Sequence, residues 1–401
     1  MRLSTKSLKL ILITAILAGI LLVTDVNRLN IPEEIGRHHL FSILDWEVRR
    51  LPNKWSYKIK SLIKNDHESK SNRLENIYSY LDTSKNDLDQ LSRPDIEASF
   101  ESLISDAIKL EGITYLNRII FPPVSISLES APYILITSPR DKIMRGDEAL
   151  LTSNISLQQV IDIENKLMKQ ENLSSLVIPV GGIATYPVIV TKSNDLLWSL
   201  QTAAHEWLHT FLFFRPLGFN MFNSAEMQIL NETVANIVGK EIGITAFNML
   251  LADSGQQTDL CKFINQPKLK TNSQFNFSNE MRDTRITVEE LLMEGKIDEA
   301  ESYMENQRLV FNSNGYPIRK LNQAYFAFYG TYADRPGSIS IIGPQVEEYR
   351  SYFNGLSEFV TNISKIDSYH EFEDSLLNIK TQDASPKRTH TNSTVIPFIC
   401  E

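Results

Sequence analysis

Two histidines and a glutamate near the middle of the chain have the types and spacing that can hold a metal ion and activate water. His205 and His209 are four residues apart, so on a helix both imidazoles project from one face and can reach a single ion. Glu206 lies about 100° round the helix from His205. Its carboxylate can therefore reach a water on that ion without ligating the ion itself. The spacing predicts metal-assisted proton transfer with Glu206 as the general base.

A catalytic zinc needs a third protein ligand, and the sequence offers one on the next predicted helix. Between His209 and Glu232 lie 22 residues, a gap that fits the end of one helix, a turn and an antiparallel or crossing second helix. Leu212 and Arg215 stand where a metzincin has Gly and His, which excludes that class. We therefore predict that one Zn²⁺ is held by His205, His209 and Glu232.

The H-E-x-x-H motif followed by an Asn-Glu dipeptide resembles the pattern of gluzincins, the thermolysin-like zinc metallopeptidases. The segments "IRKLNQAYFAFYGTYADRPGS" (318–338) and "LLMEGKIDEAESYMENQR" (291–308) are in addition similar to segments of bacterial membrane-anchored zinc aminopeptidase-like proteins. Asn231 precedes Glu232, as in that family, whereas Asn236 stands where the family has an Asp that orients the first histidine. The resemblance covers about residues 120–350. It implies a zincin-like core and hydrolysis of a peptide or protein substrate, with endo- or aminopeptidase action left open.

The same resemblance implies a side chain that stabilises the oxyanion and a strand that binds the substrate backbone. Tyr325 and Tyr332, in "IRKLNQAYFAFYGTYADRPGS", are the candidates for the first role. Gly181 and Gly182, in "GGIATYPVIV", would allow a peptide to approach an edge strand. Tyrosines that pack in a core and a simple hairpin turn are the alternatives.

Two long helices must carry the metal ligands. The apolar periodicity predicts the first from about Asn194 to Phe214, capped by Ser193 or Asn194. The second is predicted from Ser224, a good N-cap, to Gly243, a common C-terminal stop.

Short β-branched runs precede these helices and predict strands at 124–130, 133–139, 175–182 and 184–190. An amphipathic helix is expected at 156–171, between the second and third strands. Prolines within two of the runs place at least one strand at a sheet edge. We therefore expect an α+β, mainly helical fold, with a small mixed sheet packed on the active-site helix.

The N-terminus carries a targeting signal. Residues 10–24 form a 15-residue run without charge, and basic residues precede it. No small-x-small cleavage site follows, which favours an uncleaved signal anchor over 1–26 rather than a cleaved signal peptide. Positive charge before the span places the rest of the chain outside the membrane. We expect a single-pass cell-membrane protein with an extracytoplasmic catalytic domain; a secreted protein is the alternative.

The remaining organisation follows from changes in pattern along the chain. Residues 36–115 read as a helical N-terminal segment, 116–366 as the zincin-like metallopeptidase domain, and 380–401 as a poorly ordered tail. The chain has 40 basic and 49 acidic residues and a net charge of −9, so it lacks the basic face that nucleic-acid binding needs. A non-catalytic zinc-binding envelope scaffold is the competing function, although a structural zinc would need no general base.

Overall fold

In the residues that the structure describes, the protein is mainly helical with six short strands, which confirms the α+β class. The computed structural model describes residues 29–64, 70–82, 93–115, 119–254, 275–332 and 338–382. The expected anchor at 1–26 lies outside these residues. So does the expected tail, apart from its first three residues, which end the last helix.

Fourteen α-helices occur in the described residues. Four precede the first strand: α1 (Ile31–Ile35), α2 (Ile43–Lys64), α3 (Lys70–Asp82) and α4 (Arg93–Leu110). One, α5 (Leu157–Glu171), lies among the strands. The others are α6 (Leu196–Leu212), α7 (Pro216–Phe219), α8 (Ala225–Ser254), α9 (Phe277–Met293), α10 (Ile297–Ser313), α11 (Gln323–Tyr329), α12 (Ile342–Ser351), α13 (Leu356–Ile363) and α14 (Tyr369–Gln382).

The strands form two sheets of three strands rather than one. They are β1 (Ile126–Leu128), β2 (Tyr133–Pro139), β3 (Glu148–Leu151), β4 (Leu173–Pro179), β5 (Gly182–Ile183) and β6 (Val188–Val190). The mixed sheet has the order β1-β6-β5, with β1 parallel and β5 antiparallel to β6. The antiparallel sheet has the order β3-β2-β4, so Pro179 ends an edge strand, as expected. Strand β3 escapes prediction because its sequence, "EALL", contains no β-branched or aromatic residue.

Helix α5 begins where the sequence predicts and packs on the antiparallel sheet. Ser156 is its N-cap and forms a capping box with Gln159, which satisfies donors that the first helical turn leaves free. Val160, Ile163 and Leu167 then bury one face of the helix against strand residues such as Leu135. The predicted helix at 156–171 is confirmed.

Helices α6 and α8 differ from their predicted bounds. The N-cap of α6 is Asp195, whose carboxylate accepts a hydrogen bond from the Trp198 N–H at 2.9 Å. Gly243 does not end α8; instead, the two helices are in close contact there. A Cβ at Gly243 would lie 2.5 Å from the Cγ of Gln201, and one at Gly239 would lie 2.8 Å from the Cβ of His205. These glycines let antiparallel backbones approach each other.

The N-terminal helices share one hydrophobic core with α6 and α8. Tyr80 of α3 and Phe100 of α4 are fully buried in the same cluster as Leu208 and Val234. Helix α8 has the length and composition of a membrane span, but about half of its apolar window is buried inside the protein (56%). It is the central helix of this core.

A buried carboxylate links the antiparallel sheet to the segment that precedes α11. Glu164 of α5 accepts hydrogen bonds from the Val177 N–H at 2.8 Å and from the guanidinium of Arg319 at 2.6 and 3.0 Å. The ammonium of Lys320 lies 3.1 Å from the same carboxylate. Burial alone would raise the pKa of Glu164, but these donors outweigh it and lower the pKa below its usual value of 4.5.

We expect Glu164→Gln to lower the free energy of unfolding by about 2 kcal/mol at pH 7, because charge-assisted hydrogen bonds are lost. The estimate is modest because Arg319 and Lys320 are about one third exposed and can be rehydrated. Since the folded-state pKa is depressed, this contribution is complete above pH 4.5 and is lost as the pH falls further. Denaturant titrations across that range measure it.

The matched control is Glu305→Gln, which removes an exposed carboxylate paired with Arg308 one helical turn away. This substitution should change the free energy of unfolding by less than about 0.5 kcal/mol. Equal effects of the two variants at pH 7 would contradict a structural role for Glu164.

Candidate metal centre

Helix α6 has an apolar face that fixes the direction of its ionisable face. Leu200, Ala204 and Leu208 are fully buried in the core. The indole N–H of Trp207 donates a hydrogen bond to the Pro122 carbonyl at 3.0 Å, which anchors the same face. Beside this face, His205 lies against Gly239 of α8.

The three predicted ligand side chains meet between α6 and α8. The Nε2 atoms of His205 and His209 are 3.0 Å apart, and Oε2 of Glu232 lies 3.6 Å from each. Ligands placed tetrahedrally at the bond lengths typical of zinc sites are about 3.3 Å apart. The observed spacings lie on either side of that value. Oε2 of Glu232 is also buried without a hydrogen-bond partner. The donor set therefore fits one zinc ion.

Two carboxylates compete for the place of third ligand. An oxygen of Glu206 lies within 4.8 Å of the donor nitrogens of His205 and His209, so that trio also has metal-site spacing. Glu232, however, places a single unpartnered oxygen at equal distances from both imidazoles. That symmetry favours Glu232 as the ligand and leaves Glu206 beside the site.

The electrostatics of the ligands suit a cation. Burial would raise the pKa of Glu232, but His209 and His205 outweigh it and hold the pKa well below its usual range. Burial would lower the pKa of His209, but the Glu232 carboxylate reverses this and raises it to about 9. Glu232 is therefore ionised at neutral pH, as a carboxylate ligand must be.

Glu206 has the environment of a general base. Its side chain is buried, and this burial raises its pKa above 4.5, although the charges of His205 and His209 oppose the shift. A raised pKa brings the carboxylate closer to neutral pH, where proton transfer is most effective. A Cβ at Gly182 would lie 2.7 Å from Oε1 of Glu206, so only glycine fits beside this carboxylate.

The two candidate glycines differ in position. Gly182 begins β5, the last strand of the mixed sheet, and lines the cavity that contains the histidines. Gly181 precedes this strand and packs on Trp198, where a Cβ would approach the indole to 2.7 Å. Both glycines therefore line the site, and Gly182 is the one beside Glu206.

The two candidate tyrosines also differ in position. Tyr332 lines the cavity. Burial raises its pKa well above 10.0, and Glu232 adds to the shift while Arg145 opposes it. The hydroxyl therefore keeps its proton and can donate. Tyr325 does not line the cavity; its ring packs 4.5 Å from the ring of Tyr329, between two hydrophobic clusters.

The two asparagines near the ligands have different surroundings. Asn231 is buried, its amide donates to the Leu217 carbonyl at 3.3 Å, and it contributes to the raised pKa of His209. Asn236 lines the cavity. That Asn236 orients His205 stays a prediction.

The site occupies a cavity of about 700 Å³, and sequence reasoning missed several charged residues that line it, among them Arg145 and Glu47. Arg145 donates to the carboxylate of Glu148, and its guanidinium lies 5.4 Å from the centre of the Phe328 ring. Glu47 reaches the cavity from α2. Neither belongs to a motif, and both arrive through contacts between distant parts of the chain.

Comparison with known proteins identifies no relative of this chain. No protein-family model matches the chain, and neither curated proteins nor solved structures give a match. The functional interpretation depends on the residues and geometry described above.

Removal of a metal ligand should abolish tight zinc binding. We expect Glu232→Ala to weaken zinc affinity by at least about 100-fold, because even residues that only support ligands cost 10–100-fold. Competition with a chromophoric chelator measures the affinity. Glu226→Ala, an exposed position on the same helix, is the control and should bind like the wild type. Unchanged affinity in Glu232→Ala would exclude this residue as a ligand.

Proposed function

We propose that the protein is a zinc-dependent peptide-bond hydrolase. The observation that carries the proposal is the convergence of His205, His209 and Glu232 within 3.0–3.6 Å, with Glu206 beside them. When bound, the zinc ion would supply Lewis-acid chemistry and lower the pKa of water. No other group of His, Cys, Asp or Glu side chains in the described residues has the spacing of a metal site.

The chain's own residues account for the proton transfers. The Glu206 carboxylate takes the proton of the attacking water and passes it to the leaving amine. Its burial and raised pKa suit both steps, since the group must accept a proton and then release it. The Tyr332 hydroxyl, which keeps its proton and lines the cavity, would donate to the oxyanion.

A peptide is the substrate class that the cavity supports best. The outer edge of β5 offers backbone groups that can pair with an extended chain. Gly182 contacts Glu206, so a peptide paired there would pass directly in front of the base. Endo- and aminopeptidase action are both compatible with this arrangement.

The proposed location is the outer face of the cell membrane, with residues 1–26 as the anchor. The uncharged run at 10–24 and the basic residues before it support this proposal. Secretion after cleavage is the alternative. The apolar helix α8 has no bearing on the location, since it packs in the protein core.

The alternative function is a non-catalytic zinc-binding scaffold of the envelope. A structural zinc site uses four protein ligands and has no place for a base. Glu206, buried beside the histidines and packed against an edge strand, favours the enzyme instead.

Glu206→Gln should separate catalysis from metal binding. We expect zinc binding to be retained and peptide hydrolysis to fall by about 10²–10⁴-fold, because the amide cannot accept the proton. Cleavage of a peptide library, followed by mass spectrometry, measures activity. Glu226→Gln, at an exposed position of α8, is the control and should cleave normally. Peptide cleavage by Glu206→Gln at the wild-type rate would contradict the mechanism.

Tyr332→Phe should lower kcat by about 10²-fold with little change in KM, since the lost hydrogen bond acts only in the transition state. Tyr325→Phe is the matched control, because that ring lies outside the cavity. Steady-state kinetics on one cleaved peptide compare the two. Should both variants lose activity equally, the effect would be structural and the assignment of Tyr332 would be wrong.

A further inference from the structure

The buried carboxylates of the protein differ in how they are neutralised. In the described residues six are buried, all of them glutamates: Glu47, Glu97, Glu101, Glu164, Glu206 and Glu232. Lys54 pairs with Glu97 at 2.6 Å and with Glu101 at 2.9 Å. Glu164 has Arg319 and Lys320, and the last two glutamates face the histidines. Of these six, Glu47 is the one that has neither an ion pair nor a histidine facing it in the part of the chain that the structure describes.

Glu47 lies on the wall of the cavity that contains the metal centre. Its side chain is 2% exposed; Oε1 accepts a hydrogen bond from the Tyr186 N–H at 2.8 Å, and Oε2 has no partner. Burial raises the pKa of Glu47, and the Tyr186 N–H only partly opposes this. A carboxylate in this setting is costly unless a cation reaches it.

Among the described residues, no basic side chain that lines the cavity forms an ion pair with Glu47; Lys240 also lines it, at an exposed position of α8. Arg145 is engaged by Glu148 and by the Thr331 hydroxyl, and it stacks on the Phe328 ring. The histidines face Glu232. Oε2 of Glu47 is therefore a buried acceptor in the cavity wall that no side chain of the described residues occupies.

The position of Glu47 relates it to the proposed peptide path. Gly182 touches Glu206, and Tyr186, which binds Glu47, follows four residues later. Four residues span at most about 14 Å when fully extended. A group bound at Glu47 would therefore lie within a few substrate residues of the scissile bond.

We propose that Glu47 binds a protonated amine of the substrate, either its N-terminal ammonium group or a lysine side chain. This proposal rests on the proposed peptidase function and names the substrate class. The ammonium donates to the carboxylate and supplies the charge that the protein does not provide. Glu47 is thus a specificity-determining residue contributed by an N-terminal helix rather than by the metal-binding helices.

The test measures peptide binding without cleavage, in the full-length chain with Glu206→Gln reconstituted in nanodiscs. In the first pair of peptides, one member has a free N-terminus and the other an acetylated one. In the second pair both N-termini are acetylated, and one member has a lysine where the other has norleucine. All have a C-terminal fluorophore, and anisotropy gives Kd. We expect removal of the responsible amine to raise Kd by about tenfold. The same removal should have less than about a twofold effect after Glu47→Gln, whose amide still accepts from Tyr186.

Asp45→Asn is the matched control, since it removes one negative charge from an exposed position on the same helix. It should preserve the amine preference. The pair of peptides that responds identifies the source of the amine. Equal affinity for charged and neutral peptides in the presence of Glu47 would overturn the proposal, as would an equal amine preference after Glu47→Gln.

A second measurement keeps failure of this proposal distinct from failure of the peptidase function. Wild-type protein is heated with n-butylammonium chloride or with n-butanol, and unfolding is followed. We expect only the ammonium ion to raise the unfolding midpoint, in the wild type and in Asp45→Asn but not in Glu47→Gln. That result supports an amine site even if no peptide is cleaved or bound. Two results would refute the amine site: the same unfolding midpoint with both compounds, or an equal rise with n-butylammonium in Glu47→Gln and in the wild type.

Discussion

The close approach of α6 and α8 is the contact on which the metal centre depends. Gly239 opposes His205 and Gly243 opposes Gln201, four residues apart on each helix and in opposite directions. A methyl group at either glycine would overlap the backbone of α6, so the helices would have to separate. Because Glu232 lies on the same helix as these glycines, the 3.6 Å distances to both imidazoles require this contact. Helix packing thus sets the geometry of the donors.

The mixed sheet adds a second constraint of the same kind. Gly182 begins the edge strand β5 and lies against Glu206, where any side chain would displace the carboxylate. The base is therefore held between its own helix and a strand whose outer edge has no neighbour in the sheet order. One glycine thereby places the proton acceptor and the candidate peptide path side by side.

Local patterns explain which parts of this arrangement could be predicted. Helical periodicity and the four-residue spacing of the histidines are short-range information, so α5, α6 and the start of α8 follow from the sequence. The prediction that Gly243 ends α8 is wrong, because a glycine that ends a helix and one that admits a neighbouring helix look alike in one sequence. Glu47 was missed for a different reason: its partner Tyr186 is 139 residues away.

The N-terminal helices are built into the site rather than attached to it. Glu97 and Glu101 of α4 accept the backbone N–H groups of Leu128 and Ile126, which occupy the edge strand β1. Lys54 of α2 lies between the two carboxylates and forms an ion pair with each. This buried cluster fixes α2 relative to the mixed sheet. As a consequence α2, the helix that carries Glu47, meets the connection between β5 and β6 and forms part of the cavity wall.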